Sequence, residues 1–88
     1  MKSGMHVELL GLPRERAGVA DLDVEADTLG QLLAALAIRF PSFGDMIAAD
    51  RLKPSFTANL NGERFISDPA TGLKPSDSVL ILSADAGG

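Results

Sequence analysis

The chain has 88 residues, a net charge of −4 and 45% hydrophobic residues, the composition of one small globular domain. It has no cysteine and one histidine, which excludes disulfides, thiol chemistry and multi-histidine metal clusters. The acidic balance argues against nucleic acid and anionic membrane surfaces as partners. There is no apolar run of about 18 residues and no secretory signal, so we expect a cytoplasmic protein that is monomeric when free.

The first third of the chain predicts two strands. In "MHVELLGL", Val7 and Leu9 alternate with polar residues and should face a core. "LPRERAG" follows as a short loop or a single helical turn. In "VADLDVEA", Leu22 and Val24 alternate with acidic residues, which predicts a second half-buried strand.

The clearest pattern is "DTLGQLLAALAIRFP", which predicts an α-helix. Thr28 and Gln31 fit a capping box at its start, and Pro41 ends it. The stretch "SFGDMIAADRL" after it predicts a second short helix or turn. The residues expected to reach the core are Leu29, Leu32, Leu33, Leu36 and Phe40 of the main helix, then Phe43, Met46 and Ile47.

The segment "FTANLNGERFI" predicts a hairpin, because Asn61-Gly62 tolerates the positive φ angles of a type I′ turn. We expect one face of this hairpin to be buried, and Phe65 to join it across the turn. The residues assigned to that face on the first strand are Phe56, Ala58 and Leu60.

The last apolar segment, "SVLILSA", is apolar on both faces and therefore predicts a central strand. Leu73 is the expected inward anchor of the loop before it. The order of elements predicts an α+β β-grasp (ubiquitin-like) fold, with a mixed four- to five-stranded sheet packed on one main helix. Another small α+β topology is the alternative from pattern alone.

The sequence ends on Gly87-Gly88, which divides it into a domain over residues 1–83 and a flexible tail over residues 84–88. Glycine lacks Cβ, so such a tail is thin enough to enter a narrow channel of another protein. Its reach from the last strand is about 17 Å. We expect the α-carboxylate of Gly88 to be the reactive group, with Gly87, Ala86 and Asp85 as its tether. A frayed terminus without function is the alternative.

Five segments in this order and spacing resemble the MoaD/ThiS-type sulfur carrier proteins over essentially the whole chain. They are "LPRERAG", "DTLGQLLAAL", "NLNGE", "LKPSDSVLIL" and the terminal "AGG". One departure is Pro75-Ser76-Asp77, where the family often has a Pro-Gly-Asp turn. Another is Asp85, where relatives often keep apolar or small residues.

The resemblance implies a protein co-substrate that is not itself an enzyme. A ubiquitin-activating-type adenylyltransferase would use ATP to adenylate Gly88, and sulfur would then replace AMP to give a thiocarboxylate. This chain would bind no cofactor, because the ATP and its metal belong to the partner. The sulfur would pass to a sulfur-accepting synthase subunit, with this chain as the small subunit of a molybdopterin synthase-type complex as one possibility.

The resemblance also implies that partners dock on the sheet face away from the helix. The outward apolar candidates there are Leu10, Leu80 and Leu82, and a polar rim is expected from Arg14, Arg64 and Lys74.

The pathway stays open at this stage. Molybdopterin biosynthesis is preferred because of the chain length and the "LPRERAG" loop, and cysteine biosynthesis, thiamine biosynthesis and tRNA thiolation are alternatives. A ubiquitin-like modifier that forms isopeptides with lysines, and an interaction module with an inert tail, are the other classes.

The remaining polar residues do not indicate a catalytic site or a metal site. His6 and Glu8 share a strand face, but no nucleophile accompanies them. The four acidic residues between Asp21 and Asp27 alternate along a strand and lack the glycine and final glutamate of a calcium loop. Ser76 and Ser83 have no histidine partner in the pattern, so a catalytic triad is not indicated.

Overall fold

The computed structural model describes residues 4–84, in which a five-stranded sheet packs one face against a long helix. Within this range, no helix is long and apolar enough to cross a membrane. The elements in chain order are β1 (Met5–Leu9), α1 (Leu12–Ala17), β2 (Asp21–Val24), α2 (Leu29–Arg39), a 3₁₀ helix (Pro41–Asp45), β3 (Ile47–Ala48), β4 (Arg51–Leu52), β5 (Phe56–Leu60), β6 (Arg64–Ile66) and β7 (Ser78–Ser83).

The strand order in the sheet is β2-β1-β7-β5-β6, so the last strand is the central one, as predicted. β1 and β7 are parallel, whereas the other three neighbouring pairs are antiparallel. β3 and β4 form a separate two-stranded hairpin, which the sequence analysis missed because each strand has only two residues. The mixed sheet on one main helix is the predicted β-grasp fold.

The helix α2 begins with the predicted cap in a modified form. The backbone N–H of Gln31 donates to Oγ1 of Thr28 over 3.2 Å, but Oε1 of Gln31 accepts from the N–H of Asp27, one residue before the cap. The buried stripe is the predicted one, and Leu29, Leu32, Leu33 and Leu36 are at most 1% exposed. Phe40 is half-buried and caps the C-terminus.

Gly30 permits a close approach between α2 and the loop that follows β6. Its N–H donates to the carbonyl of Pro69 over 2.9 Å. A Cβ at this position would lie 3.0 Å from Pro69 Cβ and 3.2 Å from Pro69 O. The loop therefore sits directly on the first turn of the helix, which explains a glycine where alanine has the higher helix propensity.

The segment after α2 completes the core and holds α1 in place. Phe43 and Met46 are fully buried, as predicted. Arg16 of α1 donates through Nη1 to Oδ2 of Asp45 over 2.8 Å, and Ser42 Oγ donates to the carbonyl of Arg16 over 2.9 Å. The "LPRERAG" segment is thus a short helix fastened to the 3₁₀ helix.

The hairpin turn forms as predicted, but its register places Phe65 on the other face. Asn61 and Gly62 have φ angles of 57° and 69°, and the N–H of Glu63 donates to the carbonyl of Leu60 over 3.0 Å. Leu60 nevertheless pairs with Arg64 in the ladder, so Glu63 is an extra residue between the turn and β6. A shift of one residue exchanges the two faces of a strand. The expectation that Phe65 is buried is therefore wrong, and Ile66 takes the core position at 7% exposed.

The turn before β7 does not need a glycine. The N–H of Asp77 donates to the carbonyl of Lys74 over 2.9 Å, and Ser76 is not among the residues of positive φ. The Asp77 carboxylate accepts from Nδ2 of Asn61 over 3.0 Å and from the N–H of Lys74 over 2.8 Å. These two hydrogen bonds, the one from Asn61 first, lower the pKa of Asp77. They fasten the hairpin turn to the start of β7.

Candidate docking surface

The sheet has an outer face, which we define as the side opposite α2. The alternation of buried and exposed residues along each strand assigns the side chains to it. Its members are His6, Glu8 and Leu10 in and after β1, Asp21 and Asp23 on β2, Thr57 and Asn59 on β5, Phe65 on β6, and Ser78, Leu80 and Leu82 on β7.

One row of residues crosses the outer face through all five strands. The pairing register connects Asp21 to Glu8, Glu8 to Leu80, Leu80 to Asn59, and Asn59 to Phe65. We call these five residues the central row. It is acidic at the β2 end and apolar at the β6 end, with the Asn59 amide between two apolar side chains.

The three leucines predicted to bind partners lie near one another at the β7 side of the outer face. The N–H of Leu10 donates to the carbonyl of Ile81 over 3.0 Å, so the parallel pairing continues past β1 and brings Leu10 beside Leu82. Leu10 is 44% exposed and Leu80 is half-buried. Leu82 is only 7% exposed although it does not belong to the core cluster.

The predicted polar rim is divided between the two ends of the sheet. Arg64 and Lys74 are exposed and both lie close enough to Asp77, before β7, to lower its pKa. Arg14 is exposed on α1, which contacts β7. The N-cap of α1, Gly11, lies beside Ser83 at the end of β7.

The acidic side of the outer face contains the single histidine. Nε2 of His6 lies 3.8 Å from Oε1 of Glu8, and its Nδ1 lies 3.7 Å from Oδ1 of Asp23. All three side chains are well exposed, so these are solvated contacts worth little energy. In residues 4–84 no group of three or more His, Asp or Glu side chains has metal-binding geometry.

The chain leaves the sheet beside the start of β5. The N–H of Ala84 donates to the carbonyl of Ser55 over 2.8 Å, so hydrogen bonding to the β5 side continues into the first residue of the predicted tail. The predicted reactive residue Gly88, with its tether Asp85, Ala86 and Gly87, lies outside the described residues. The structure therefore gives the point from which the tail starts, at the end of β7 next to Leu82.

Two residues of the outer face were missed by the sequence analysis. Phe65 is 65% exposed, which is unusual for a large aromatic side chain. Oδ1 of Asn59 is buried and has no hydrogen-bond partner, the only such side-chain atom found in the described range. An asparagine between two apolar residues, Ala58 and Leu60, was the available signal for the second.

A cleft of about 580 Å³ lies between the β3–β4 hairpin and the start of β5. Its apolar lining includes Leu52 and Phe56, and Arg51 and Lys53 line it as cations. Nε of Arg51 lies 3.6 Å from Oδ1 of Asp50, so one of these charges is already paired. Thr57, Ser67 and Asp68 complete its polar lining.

Comparison with protein families matches residues 7–88 to the ThiS family. The chain belongs to the ThiS family. No curated protein sequence matches this member of it.

Solved structures similar to this ThiS-family chain share its fold over most of its length. Small archaeal modifier protein 1 from Methanosarcina acetivorans is 25% identical, with a TM-score of 0.76 over 98% of this chain and 97% of that one. A putative molybdopterin converting factor, subunit 1, from Pyrococcus furiosus is 20% identical, with a TM-score of 0.78 over 93% and 98%. A chain of the Amycolatopsis orientalis BexX/CysO complex is 17% identical, with a TM-score of 0.78 over 96% and 99%.

Proposed function

We propose that this protein is a sulfur carrier whose Gly88 carboxylate is adenylated by an activating enzyme and converted to a thiocarboxylate. The observation that carries the proposal is the ThiS-family match, which extends to Gly88 on a β-grasp domain. The central strand β7 carries the chain toward this end, beside the partly apolar outer face.

The proposed chemistry uses one carboxylate and two displacements. The Gly88 carboxylate attacks the α-phosphorus of ATP bound by the partner, and pyrophosphate leaves. Hydrosulfide then attacks the acyl carbon, the bond to the phosphate oxygen breaks, AMP departs, and a proton is lost to give the thiocarboxylate. Adenylation is needed because a carboxylate is a poor electrophile.

The outer face is the proposed contact surface for the activating enzyme. Phe65 and Leu10 expose apolar area there, and an exposed apolar patch with a polar border is typical of an interaction site. Leu80 adds half-buried surface between them, and Leu82 lies on the same face beside Leu10. ATP and its metal would be bound by the partner.

Intact mass tests the carrier function. The protein is incubated with a ubiquitin-activating-type adenylyltransferase, ATP and sulfide, and we expect a mass increase equal to the replacement of one oxygen by sulfur. Removing Gly88 should abolish this change and leave the melting temperature unaltered. A Gly44→Ala variant is the control, because a Cβ added to that glycine would have no other atom within 4 Å. A mass change that persists without Gly88 would contradict the proposal.

We further propose molybdopterin biosynthesis as the destination of the sulfur, on the basis of the chain length and the "LPRERAG" loop. The thiocarboxylated protein should then bind a molybdopterin synthase large subunit and transfer its sulfur to the precursor held there. Transfer instead to an acceptor of cysteine or thiamine biosynthesis would replace this assignment and leave the carrier function intact.

A ubiquitin-like modifier is the second candidate, favoured by the 25% identity to a small archaeal modifier protein. In that case the Gly88 acyl group would form an isopeptide bond with a lysine of a target protein. The same incubation in a cell extract distinguishes the two, since a modifier gives conjugates of higher mass that require Gly88.

A further inference from the structure

The cleft beside the start of β5 exists because β5 extends past the end of β6. β6 ends at Ile66, so the first two residues of β5, Phe56 and Thr57, pair only with β7 in the sheet. Residues 67–69 leave the ladder and form the far wall of the cleft, and residues 51–54 form its near wall. Its volume of about 580 Å³ is in the range of pockets that hold a ligand or a short peptide.

The near wall carries the positive charge of the cleft. Nε of Arg51 is 3.6 Å from Oδ1 of its neighbour Asp50. Within residues 4–84, by contrast, no carboxylate oxygen lies within 4 Å of Nζ of Lys53. The carboxylate on the far wall, Asp68, is engaged in its own turn, where Oδ1 accepts from the N–H of Ala70 over 2.9 Å. The ammonium group of Lys53 therefore favours an anionic occupant.

The end of β7 brings an acidic segment of the same chain to this place. The N–H of Ala84 donates to the carbonyl of Ser55 over 2.8 Å. Ser55 lies in the turn that is closed by the hydrogen bond from the N–H of Phe56 to the carbonyl of Lys53, over 3.0 Å. The residue after Ala84 is Asp85, the departure from the family pattern that the sequence shows. A carboxylate thus follows directly where the chain passes the turn of Lys53.

The remaining length of chain is sufficient to cross the cleft. The position of β6 is two strand spacings from β7, which is about 10 Å. Residues 85–88 span at most about 14 Å when extended. They include Gly87 and Gly88, which have no side chain to exclude them from a groove. A segment attached beside its site also has a high effective concentration there, so a weak ion pair is enough to hold it.

We propose that the cleft is a binding site for residues 85–88 of this chain, with the Asp85 carboxylate paired to the ammonium group of Lys53 at its entrance. In the free protein this segment lies along the start of β5, and a partner that acts on Gly88 has to draw it out. Asp85 thereby has a role of its own, which is to hold the end of the chain on the domain. The inference concerns the free chain and does not depend on what Gly88 carries.

Amide NMR spectra of the full chain test this contact. Asp85→Asn removes the charge and should release the segment, so the amide signals of Ser67 and Asp68 on the far wall should shift. Lys53→Gln should shift the same two signals in the same direction, and the double variant should show no further change, because both substitutions break one interaction. If residues 85–88 did not enter the cleft, Asp85→Asn would change only signals near Ala84.

Lys74→Gln is the matched control, because it removes the same charge from an exposed lysine in the loop before β7 that does not line the cleft. It should leave the signals of Ser67 and Asp68 at their wild-type positions. Unshifted far-wall signals in Asp85→Asn, or equal shifts in Lys53→Gln and Lys74→Gln, would overturn the inference. A chain that shows the expected shifts but gains no sulfur in the intact-mass experiment would contradict the proposed function alone.

Discussion

The two faces of the sheet differ in burial and in composition. On the inner face, Val7, Val79 and Ala58 are fully buried, and the core cluster that they form with α2 is entirely apolar. On the outer face, the strands carry an exposed phenylalanine and an asparagine oxygen without a partner. The inner face is packed within the domain, whereas the outer face leaves large apolar area of Phe65 exposed. Stability and docking should therefore be separable by substitutions on one strand.

Two adjacent residues of β7, Ile81 and Leu80, allow the most direct comparison of the two faces. Ile81 is 1% exposed on the inner face, and its replacement by alanine should lower the free energy of unfolding by about 2–5 kcal/mol. Leu80 is half-buried on the outer face, so Leu80→Ala should cost about half as much or less. Urea unfolding of both variants measures the difference. Equal losses would show that the outer face is part of the stabilising core.

A substitution at Phe65 tests the outer face with little effect on the core, because this side chain is mostly exposed. Phe65→Ala should change the free energy of unfolding by less than about 0.5 kcal/mol, because the ring is mostly exposed. The same variant should raise the KM for the carrier in adenylation about tenfold, as expected for an aromatic anchor at an interface.

The control for Phe65 is Ile38, which is 82% exposed on α2, on the opposite side of the domain. Ile38→Ala removes a comparable exposed apolar side chain and should leave KM at the wild-type value. If both variants raised KM alike, the enzyme would not be docking on the outer face.

The sequence predicted the inner face far better than the outer one. The spacing of the leucines in α2 determines which side of that helix is buried, because helical periodicity alone decides it. Val7 and Val79 follow from strand alternation in the same way. Burial favours an apolar residue at each such position, so the residue types alone show which positions are buried.

The outer face depends on details that residue types do not encode. The orientation of Phe65 follows from the extra residue Glu63 between the turn and β6, and a register shift of this kind is a property of the ladder. The missing partner of Asn59 depends on the positions of individual atoms. The covering of Leu82 is likewise a result of packing, since alternation alone would leave it as exposed as Leu80.

The smallest expected effect concerns Asp77, just before β7, whose carboxylate accepts hydrogen bonds from within the domain. Hydrogen bonds from Asn61 and from the N–H of Lys74 hold the pKa of Asp77 below its ordinary value of 3.8. A carboxylate with a lowered pKa contributes stability above its unfolded-state pKa, and this contribution is lost as the pH falls through the folded-state value. Asp77→Ala should therefore destabilise the domain by about 1 kcal/mol at neutral pH.

At a pH below the lowered pKa of Asp77, the wild type and Asp77→Ala should differ less in free energy of unfolding than at neutral pH, because the carboxyl is then uncharged. Urea titrations at the two pH values measure this convergence. Asp77 lies outside the central row, so the KM for the carrier at neutral pH should not change in the variant. A constant difference in stability at both pH values would mean that the carboxylate charge does not hold the turn, and a raised KM would extend the docking surface to the start of β7.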